Sequence, residues 1–565
     1  MKKLCGALFF TLLCVFCGCR SAVPAAGGDN RNTGKIVMIP FFPELCLEEG
    51  GNPAESFWAR AACISPRKVF GKPGLVSEAK TEVRLCMDRK NLCIGIVCEE
   101  PTSVHAGTPG ASPWTGDNVE FFIADLHRPL WYRQLVVGAN GTRFSRMLDE
   151  KDWTAAVSVE RDRWSAKIVV PLARLGGMDG GVVVNVLRER KAARELISYR
   201  DLAERALEVE RFGKMATYSS LVRAPWTFRI RAHGAGIAWE TAVPSAGKLF
   251  YRKVGDAAWR EQDEIVSRTP YIRSAELSGL ERNTEYEYIV PGMTEFGRFR
   301  TLDPVPGDYT FAMTTDVHTR ASRLAAMLER PDVRSAELFF LLGDQVDSSL
   351  APEMHHDSFL DAVTAHWNKP FYCVYGNHEG RGAAADSFYD LFCHGKPVGY
   401  DAFSHKGVFF VILDTDHDNG ISETYRREQI EFLKKTIHSP EFRQARWRVL
   451  ISHVPITFLY KRWGADQAAM FEELSLEEYN AFDVAFSGHI HHFCRTLPGE
   501  DKVFSTKPQL RGTPTLRPTG FPEFTGPELG LFLVRKTDDR LCVKIFDQDG
   551  TLLDDREIRS EKRHR

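Results

Sequence analysis

The hydrophobic rhythm of the chain changes twice. From Lys35 to Leu221 apolar and polar residues alternate in short runs. TEVRLCMD and NLCIGIVCEE, joined by the polar pair Arg89-Lys90, are followed by VEFFIAD, QLVVGANG, AAVSVERDRWSAKIVVP and GVVVNVLRER. Period two puts successive side chains on opposite faces of a strand, so this region predicts a β-sandwich. Within it, Lys191 to Leu207 is rich in Glu, Arg, Ala and Leu and predicts a short surface helix before the last strand. Between Pro225 and Thr301, TFRIRA, GIAWETA, GKLFYRKV, LSGLERNTEYEYIV and FGRFRT give five further strand candidates, with Trp239 as a core residue. After Asp308 the strands become fully apolar (YTFAM, ELFFLL, FYCVY, RVLI, FDVAF). Helical patterns such as RLAAMLERPDV and REQIEFLKKTIHS separate them. Alternating βα units predict sheets covered by helices.

Each of those five apolar runs ends in a cluster of metal-type donors. The clusters read TTDVH (Asp316, His318), GDQVD (Asp344, Asp347), GNHE (Asn377, His378), SHVP (His453) and GHIH (His489, His491). Residues leaving the carboxyl ends of strands in an α/β sheet converge on one rim. So many carboxylate, amide and imidazole donors in one place are costly to bury without a cation. A lone histidine after a strand is more often a satisfied core residue than a ligand. His453 gains weight only from its place in the series.

The five blocks, in this order, resemble the calcineurin-like metallophosphoesterases, a family that includes the purple acid phosphatases. The resemblance implies two stacked mixed sheets flanked by helices and a binuclear centre. Carried over by position, Asp316, His318, Asp344 and His491 would hold one metal. Asp344, Asn377, His453 and His489 would hold the other, with Asp344 bridging. This donor set suits Mn, Fe or Zn. His378 is assigned to transition-state stabilisation or protonation of the leaving oxygen. Asp347 stands where purple acid phosphatases have an iron-bound tyrosine, and it is read as an outer-layer residue or a loop cap. Glu379, His355, His356, His417 and His492 match no ligand position and are read as pocket rim or surface. Pro455 to Glu478 is a long insertion, from which Lys461 and Arg462 are candidates for contact with substrate. LGLFLVRK and RLCVKIFDQDG read as a hairpin completing the second sheet, with Asp547 to Gly550 turning into TLLDDREI.

Two weaker resemblances lie upstream. Trp58-Ala-Arg, the LCIGI strand, Trp114-Thr-Gly-Asp-Asn-Val-Glu, Trp164 before IVVPL and Phe212-Gly213 resemble a family 9-type carbohydrate-binding module. Trp114, Trp131 and Trp153 are then candidates for stacking on sugar, while Trp58 and Trp164 are read as core. A structural spacer or protein contact is the competing reading, since such folds host many functions. Leu277-x-x-Leu280 and Thr284-x-Tyr286-x-Tyr288 resemble the tyrosine corner of a fibronectin type III domain, of the kind that precedes the catalytic domain in purple acid phosphatases. The expected organisation is a lipoprotein signal at 1–19, a tether at 20–34, a carbohydrate-binding-like sandwich at 35–222, a fibronectin-like domain at 223–303 and a metallophosphoesterase domain at 304–565.

Composition narrows the function. The length of 565 residues fits about three to four domains, and 43% apolar with 26% charged residues is ordinary for globular chains. A net charge of −2 argues against a nucleic-acid polymer as partner. Lys2 and Lys3 precede an apolar run from Leu4 to Phe16, which ends in Phe-Cys-Gly-Cys. This resembles a bacterial lipobox with Cys19 as the lipidated residue, although Phe16 stands where Leu is usual. The expected location is therefore the bacterial cell envelope, with the membrane met only through a lipid anchor. Of 13 cysteines, Cys46, Cys63, Cys86, Cys93, Cys98, Cys373, Cys393, Cys494 and Cys542 lie beyond that signal, and several are expected to be small buried residues. The reading is an exported binuclear hydrolase of phosphate monoesters or diesters, acid-phosphatase-like, held near glycan by its first module. The alternatives are a non-catalytic glycan-binding or adhesion lipoprotein on a phosphatase scaffold, and a nucleotidase or nuclease-like relative.

Overall fold

Strand pairing follows the two changes of rhythm, giving three pairs of sheets along the chain. The computed structural model describes residues 36–45, 55–176, 178–200, 202, 207–415, 422–458, 470–517 and 519–560. In the first unit a five-stranded antiparallel sheet runs Ala62–Ile64, Thr81–Met87, Asn91–Glu99, Arg163–Pro171, Thr154–Val159. It faces an eight-stranded sheet whose centre is Val182–Arg190, Asn118–Asp125 and Arg133–Gly138. Val83, Leu85, Ile94 and Ile96 pack against Phe121, Leu135, Val184 and Val186 between them. Trp58 and Trp164 are core, as expected. So is Trp153, which corrects its reading as a sugar-stacking residue. Its indole is 1% exposed, and Arg143 lies over its face.

The helix expected from Lys191 to Leu207 is replaced by a strand. Glu195–Ser198 folds back antiparallel onto Leu187–Arg190, with Arg194 in the left-handed region (φ 49°) at the turn. Helix propensity loses here because Ile197 is fully buried and Leu196 packs on the Phe122–Phe212 cluster. Residues 201 and 203–206 lie outside the described residues. Among the described residues Cys86, Cys93, Cys98, Cys373, Cys393, Cys494 and Cys542 are free thiols, five of them buried, and Cys86 and Cys93 face each other across a hairpin.

The second unit pairs two four-stranded sheets. Arg260–Asp263, Ile265–Val266 and Ile272–Ser278 join the strands read from sequence. Tyr286 forms the corner, its hydroxyl accepting the Glu281 amide at 3.0 Å. This unit is fused to the third. Trp226 Nε1 donates to the Leu391 carbonyl at 3.0 Å, the Tyr372 hydroxyl donates to the Ile230 carbonyl at 2.7 Å, and Arg231 pairs with Asp401.

In the third unit a six-stranded sheet, ordered Phe371–Cys373, Leu338–Leu341, Tyr309–Thr314, Leu531–Lys536, Arg540–Phe546, Leu552–Arg559, faces a seven-stranded one. The latter contains the parallel strands Val408–Ile412, Trp447–Ile451, Val484–Ser487 and Glu523–Thr525. Phe311, Phe340, Phe410, Phe486 and Phe532 fill the space between them. Helices Ala321–Leu328 and Glu423–Ile437 cover the outer faces. The C-terminal hairpin belongs to the first of these sheets, not the second. Leu531–Lys536 lies antiparallel to Tyr309–Thr314, which buries Phe532 and Val534 in the shared core. Among the described residues no helix is long and apolar enough to cross a membrane.

Candidate metal centre

Five strands deliver their donors to one rim. Asp316 and His318 follow Tyr309–Thr314, Asp344 and Asp347 follow Leu338–Leu341, and Asn377 and His378 follow Phe371–Cys373. His453 follows Trp447–Ile451, and His489 and His491 follow Val484–Ser487. The backbone there is unusual. Asp316, His318, Asp344, His489 and His491 all have positive φ, between 45° and 69°. Left-handed conformations of non-glycine residues cost of order 1–3 kcal/mol each and cluster at functional sites. The glycines of the motifs permit close approach of the loops. A Cβ on Gly343 would lie 2.3 Å from His453 Nδ1, and one on Gly488 would overlap Thr315 Oγ1.

The donors form two clusters that share Asp344. Asp316, His318, Asp344 and His491 make one, and Asp344, His453 and His489 the other. His318 Nε2 and His491 Nε2 are 3.2 Å apart, and His491 Nε2 lies 3.2 Å from Asp316 Oδ1. His453 Nε2 sits 3.1 Å from Asp344 Oδ2 and 3.3 Å from His489 Nδ1. Asn377 Oδ1 is 3.0 Å from His489 Nδ1 and completes the second cluster. Buried Asp316 Oδ1 has no hydrogen-bond donor among the described residues. Ring nitrogens aimed at one another and an orphaned carboxylate oxygen fit a pair of cations.

A second layer fixes which nitrogen of each ring points inward. His318 Nδ1 lies 3.0 Å from Asp347 Oδ1, and His453 Nδ1 donates to the Leu342 carbonyl at 2.8 Å. Both rings thus present Nε2 to the centre. Asp347 lies against His318 and, at 3.3 Å, accepts from Thr319 Oγ1.

Electrostatics point the same way. Burial alone would raise the Asp316 carboxyl, yet His318, His491 and His453 hold it well below the usual carboxylate range. Burial opposes charge on His453, but Asp344 and Asp316 overcome it and lift the imidazole to about 10. Burial, with the adjacent His453 charge, pushes His489 down to about 3.

Several side chains read as rim or surface are interior. Glu379 is fully buried and accepts the backbone amides of Asp344 (2.9 Å), Gln345 (2.8 Å) and Gly376 (2.9 Å). It fixes the loop that carries the shared aspartate. His355 and His356 are buried too. His355 Nε2 lies 3.1 Å from Ser349 Oγ, and His356 Nε2 lies 3.3 Å from Glu240 of the second unit. These three correct their reading as surface, whereas His492 is half-buried. Their apolar surroundings come from segments distant in sequence, which no local pattern displays. Glu523, which sequence reasoning missed, is fully buried and accepts from the Ile456 and Thr457 amides and the Ser487 hydroxyl, tying the His453 loop to the His489 strand. Arg381, also missed, lies on the His378 ring.

On the first unit, Trp131 is 67% exposed beside exposed Leu130. Trp114 is half-buried, donating Nε1 to Glu120 at 3.0 Å and packing on Phe144. Lys461, Arg462, His417 and Cys19 lie outside the described residues.

The sequence model of the calcineurin-like phosphoesterase family matches residues 309–493. The chain therefore carries a calcineurin-like phosphoesterase domain. It is 25% identical over 125 residues to "Probable inactive purple acid phosphatase 27" of Arabidopsis thaliana, covering 21% of this chain and 20% of that protein. It is 24% identical over 155 residues to a nucleotide pyrophosphatase/phosphodiesterase of Hordeum vulgare, covering 23% of this chain and 40% of that protein. The chain thus spans a fifth to two fifths of the length of these curated relatives. Among solved structures, a purple acid phosphatase from seeds of yellow lupin (Lupinus luteus) covers 84% of this chain and 94% of its own, at 12% identity and TM-score 0.45. A carbohydrate binding module family 9 from Caldicellulosiruptor kristjanssonii in complex with cellotriose covers 33% of this chain and 94% of its own, at 14% identity and TM-score 0.27.

Proposed function

We propose that the chain is a binuclear, metal-dependent hydrolase of phosphate monoesters or diesters. The observation that carries this reading is the pair of donor clusters sharing Asp344 at one sheet rim. Asp316, His318, Asp344 and His491 would hold one ion, and Asp344, Asn377, His453 and His489 the other. Mn, Fe or Zn suits such a donor set. When bound, the pair would neutralise phosphate charge and supply a nucleophile at neutral pH by acidifying water. The chain's own part is to hold that geometry. Asp347 and the Leu342 carbonyl set the ring orientations of His318 and His453, and Glu379 fixes the Asp344 loop. His378 donates its backbone amide to Asp344 Oδ1 at 2.9 Å, and its ring lies 3.7 Å from Asp344 Oδ2, next to the shared aspartate, where it would serve transition-state stabilisation or protonation of the leaving oxygen.

The test strips the protein of metal, restores Mn, Zn or Fe separately, and assays a generic monoester and diester beside Asp344→Asn. Metal-restored turnover that this substitution lowers at least about a thousandfold supports the reading. No turnover with two ions bound per chain would replace it with a glycan-binding lipoprotein on a phosphatase scaffold.

That second reading rests on Trp131, whose exposed indole beside Leu130 offers a face for sugar stacking. With export and lipidation at Cys19, the first module would hold the enzyme near glycan in the bacterial envelope. Mass spectrometry of the native protein tests the anchor, and an unmodified Cys19 would remove it from the proposal.

A further inference from the structure

Cys86 and Cys93 are opposed in register on the hairpin formed by Thr81–Met87 and Asn91–Glu99. At its turn Asp88 donates its amide to the Asn91 carbonyl at 3.0 Å. The Met87 amide instead donates to the Pro40 carbonyl and the Met87 carbonyl accepts the Phe42 amide, both at 2.8 Å. Met87 and Leu92 are therefore a pair without cross-strand hydrogen bonds, and by the alternation of an antiparallel ladder Cys86 and Cys93 are a hydrogen-bonded one. Such partners have Cα atoms about 5.5 Å apart, inside the range of about 4.4–6.8 Å that a disulfide spans. Among the described strands no other two cysteines are register partners.

Both side chains lie on the face of the five-stranded sheet opposite Leu85 and Ile94, where Phe42, Leu45 and Trp58 cover them. Gly95, next on that face, makes room for the cover, since a Cβ there would lie 3.0 Å from the Trp58 ring. Arg84 Nη1 donates to the Trp58 carbonyl at 2.6 Å and fixes the cover in place. Both cysteines are 0% exposed. The Cys86 side chain and burial together push the Cys93 thiol well above the ordinary thiol range. A covered, protonated thiol is inert, because the thiolate is the nucleophile. Chemistry at this pair therefore belongs to the hairpin before Phe42, Leu45 and Trp58 close over it.

We propose that Cys86 and Cys93 form a cross-strand disulfide when the chain folds in the presence of a disulfide oxidant, small-molecule or protein-borne. One cysteine thiolate attacks the oxidant's disulfide, forming a mixed disulfide and releasing one thiolate. The other cysteine thiolate attacks the chain's own sulfur in that mixed disulfide, which closes the Cys86–Cys93 bond and releases the second thiolate. Two protein thiols are oxidised, the oxidant's two sulfurs gain the two electrons, and its two thiols carry off the two protons. The bond ties the two strands together beneath the segment 39–45, which hangs on Met87 of the same hairpin. Trp58 then shields it from reductants. The pair lies in the first unit and uses none of the metal donors, so the proposal stands apart from the phosphoesterase reading.

The experiment reduces and unfolds the full chain, then refolds it in a buffer of oxidised and reduced glutathione. Acid quenching, alkylation in denaturant and tryptic digestion without reduction follow, read by mass spectrometry. The expected product joins the peptide Leu85–Arg89 to the one beginning at Asn91, two hydrogens lighter than the free peptides together. That second peptide also holds Cys98, so Cys98→Ser should keep the link and Cys93→Ser should abolish it. Fragmentation of the linked peptide makes the same assignment in the unaltered chain if a variant does not fold. Chain folded before the buffer is added should link at least about tenfold more slowly, and Trp58→Ala should erase most of that difference. Cys86 and Cys93 alkylated in the refolded unaltered chain, or a link from either to Cys46, Cys63 or Cys98, overturns the proposal. Equal linking of folded and unfolded chain overturns it as well.

Discussion

Glu379 shows what one buried carboxylate does for the centre. Its two oxygens take three backbone amides, from Asp344, Gln345 and Gly376, so the turn presenting the shared ligand hangs on it. Burial, reinforced by the neighbouring Asp344 charge, lifts it to about 7. Glu379→Gln replaces one acceptor oxygen with an NH2 that faces a donor. We expect a loss of about 2–4 kcal/mol in stability and less than two metal ions per chain, read by thermal unfolding and elemental analysis. An unaltered melting temperature with full metal content would sink this account. His355 makes a separate prediction about acid. Burial holds its imidazole down to about 3, so the folded state stays neutral where the unfolded chain, near 6.5, takes a proton. Stability contributed by the neutral ring is present above 6.5 and is lost as pH falls from there toward 3, by up to about 1.4 kcal/mol per pH unit. Denaturant unfolding of His355→Gln against the parent between pH 7 and 4.5 should show a shallower acid loss, and parallel curves would rule it out. At this scale the sequence displayed the donors well, because each follows an apolar run and the blocks come in one order. It did not display Glu379, His355, His356 or Trp153 as buried, since burial is conferred by partners far along the chain.

Elements were readable where a strand's own alternation set its fate. The hairpin from Thr81 to Glu99 and the corner at Tyr286 stand where period two and spacing put them. Lys191 to Leu207 was misread because its composition favours a helix, while Ile197 is buried and Leu196 joins the Phe122–Phe212 cluster when Glu195–Ser198 pairs as a strand. The C-terminal hairpin shows a related limit. Its strands were plain, but which sheet they join is decided by Phe532 and Val534 fitting against Phe311, a contact across more than half of the domain. The corner offers a test at this scale. Tyr286→Phe keeps the ring stacked on Phe299 and removes only the oxygen that accepts the Glu281 amide. Leaving that donor without its partner should cost about 1–3 kcal/mol, measured by denaturant unfolding. A loss below about 0.5 kcal/mol would mean that water serves the amide instead.

At the scale of the whole molecule the second unit is a structural part of the third. One apolar cluster contains Trp239, Tyr286 and Phe299 from the former with Phe311, Phe410 and Phe486 from the latter. A second joins Trp226 and Phe228 to Phe359, Phe388 and Phe392 behind the metal-bearing strands. Charged contacts cross the same boundary, Arg223 meeting Asp361 and Arg231 meeting Asp401. A sequence reader sees a domain boundary near residue 303, because motif content changes there, yet the packing does not stop at it. Removing Trp226 is the direct trial, since its indole is 2% exposed, packs on His356 and donates to the Leu391 carbonyl. Trp226→Ala should cost about 3–5 kcal/mol. Because the two units share cores, that loss should lower the transition of the catalytic unit and its metal retention together, in one cooperative step. The comparison that decides it sets residues 223–565 against 304–565. The longer piece should melt as one unit with its metals bound. The shorter, with Tyr372, Phe392 and Phe403 uncovered, should aggregate or hold metal poorly. Equal melting temperatures and equal metal content in the two pieces would show that the shared core is a contact and not a dependence.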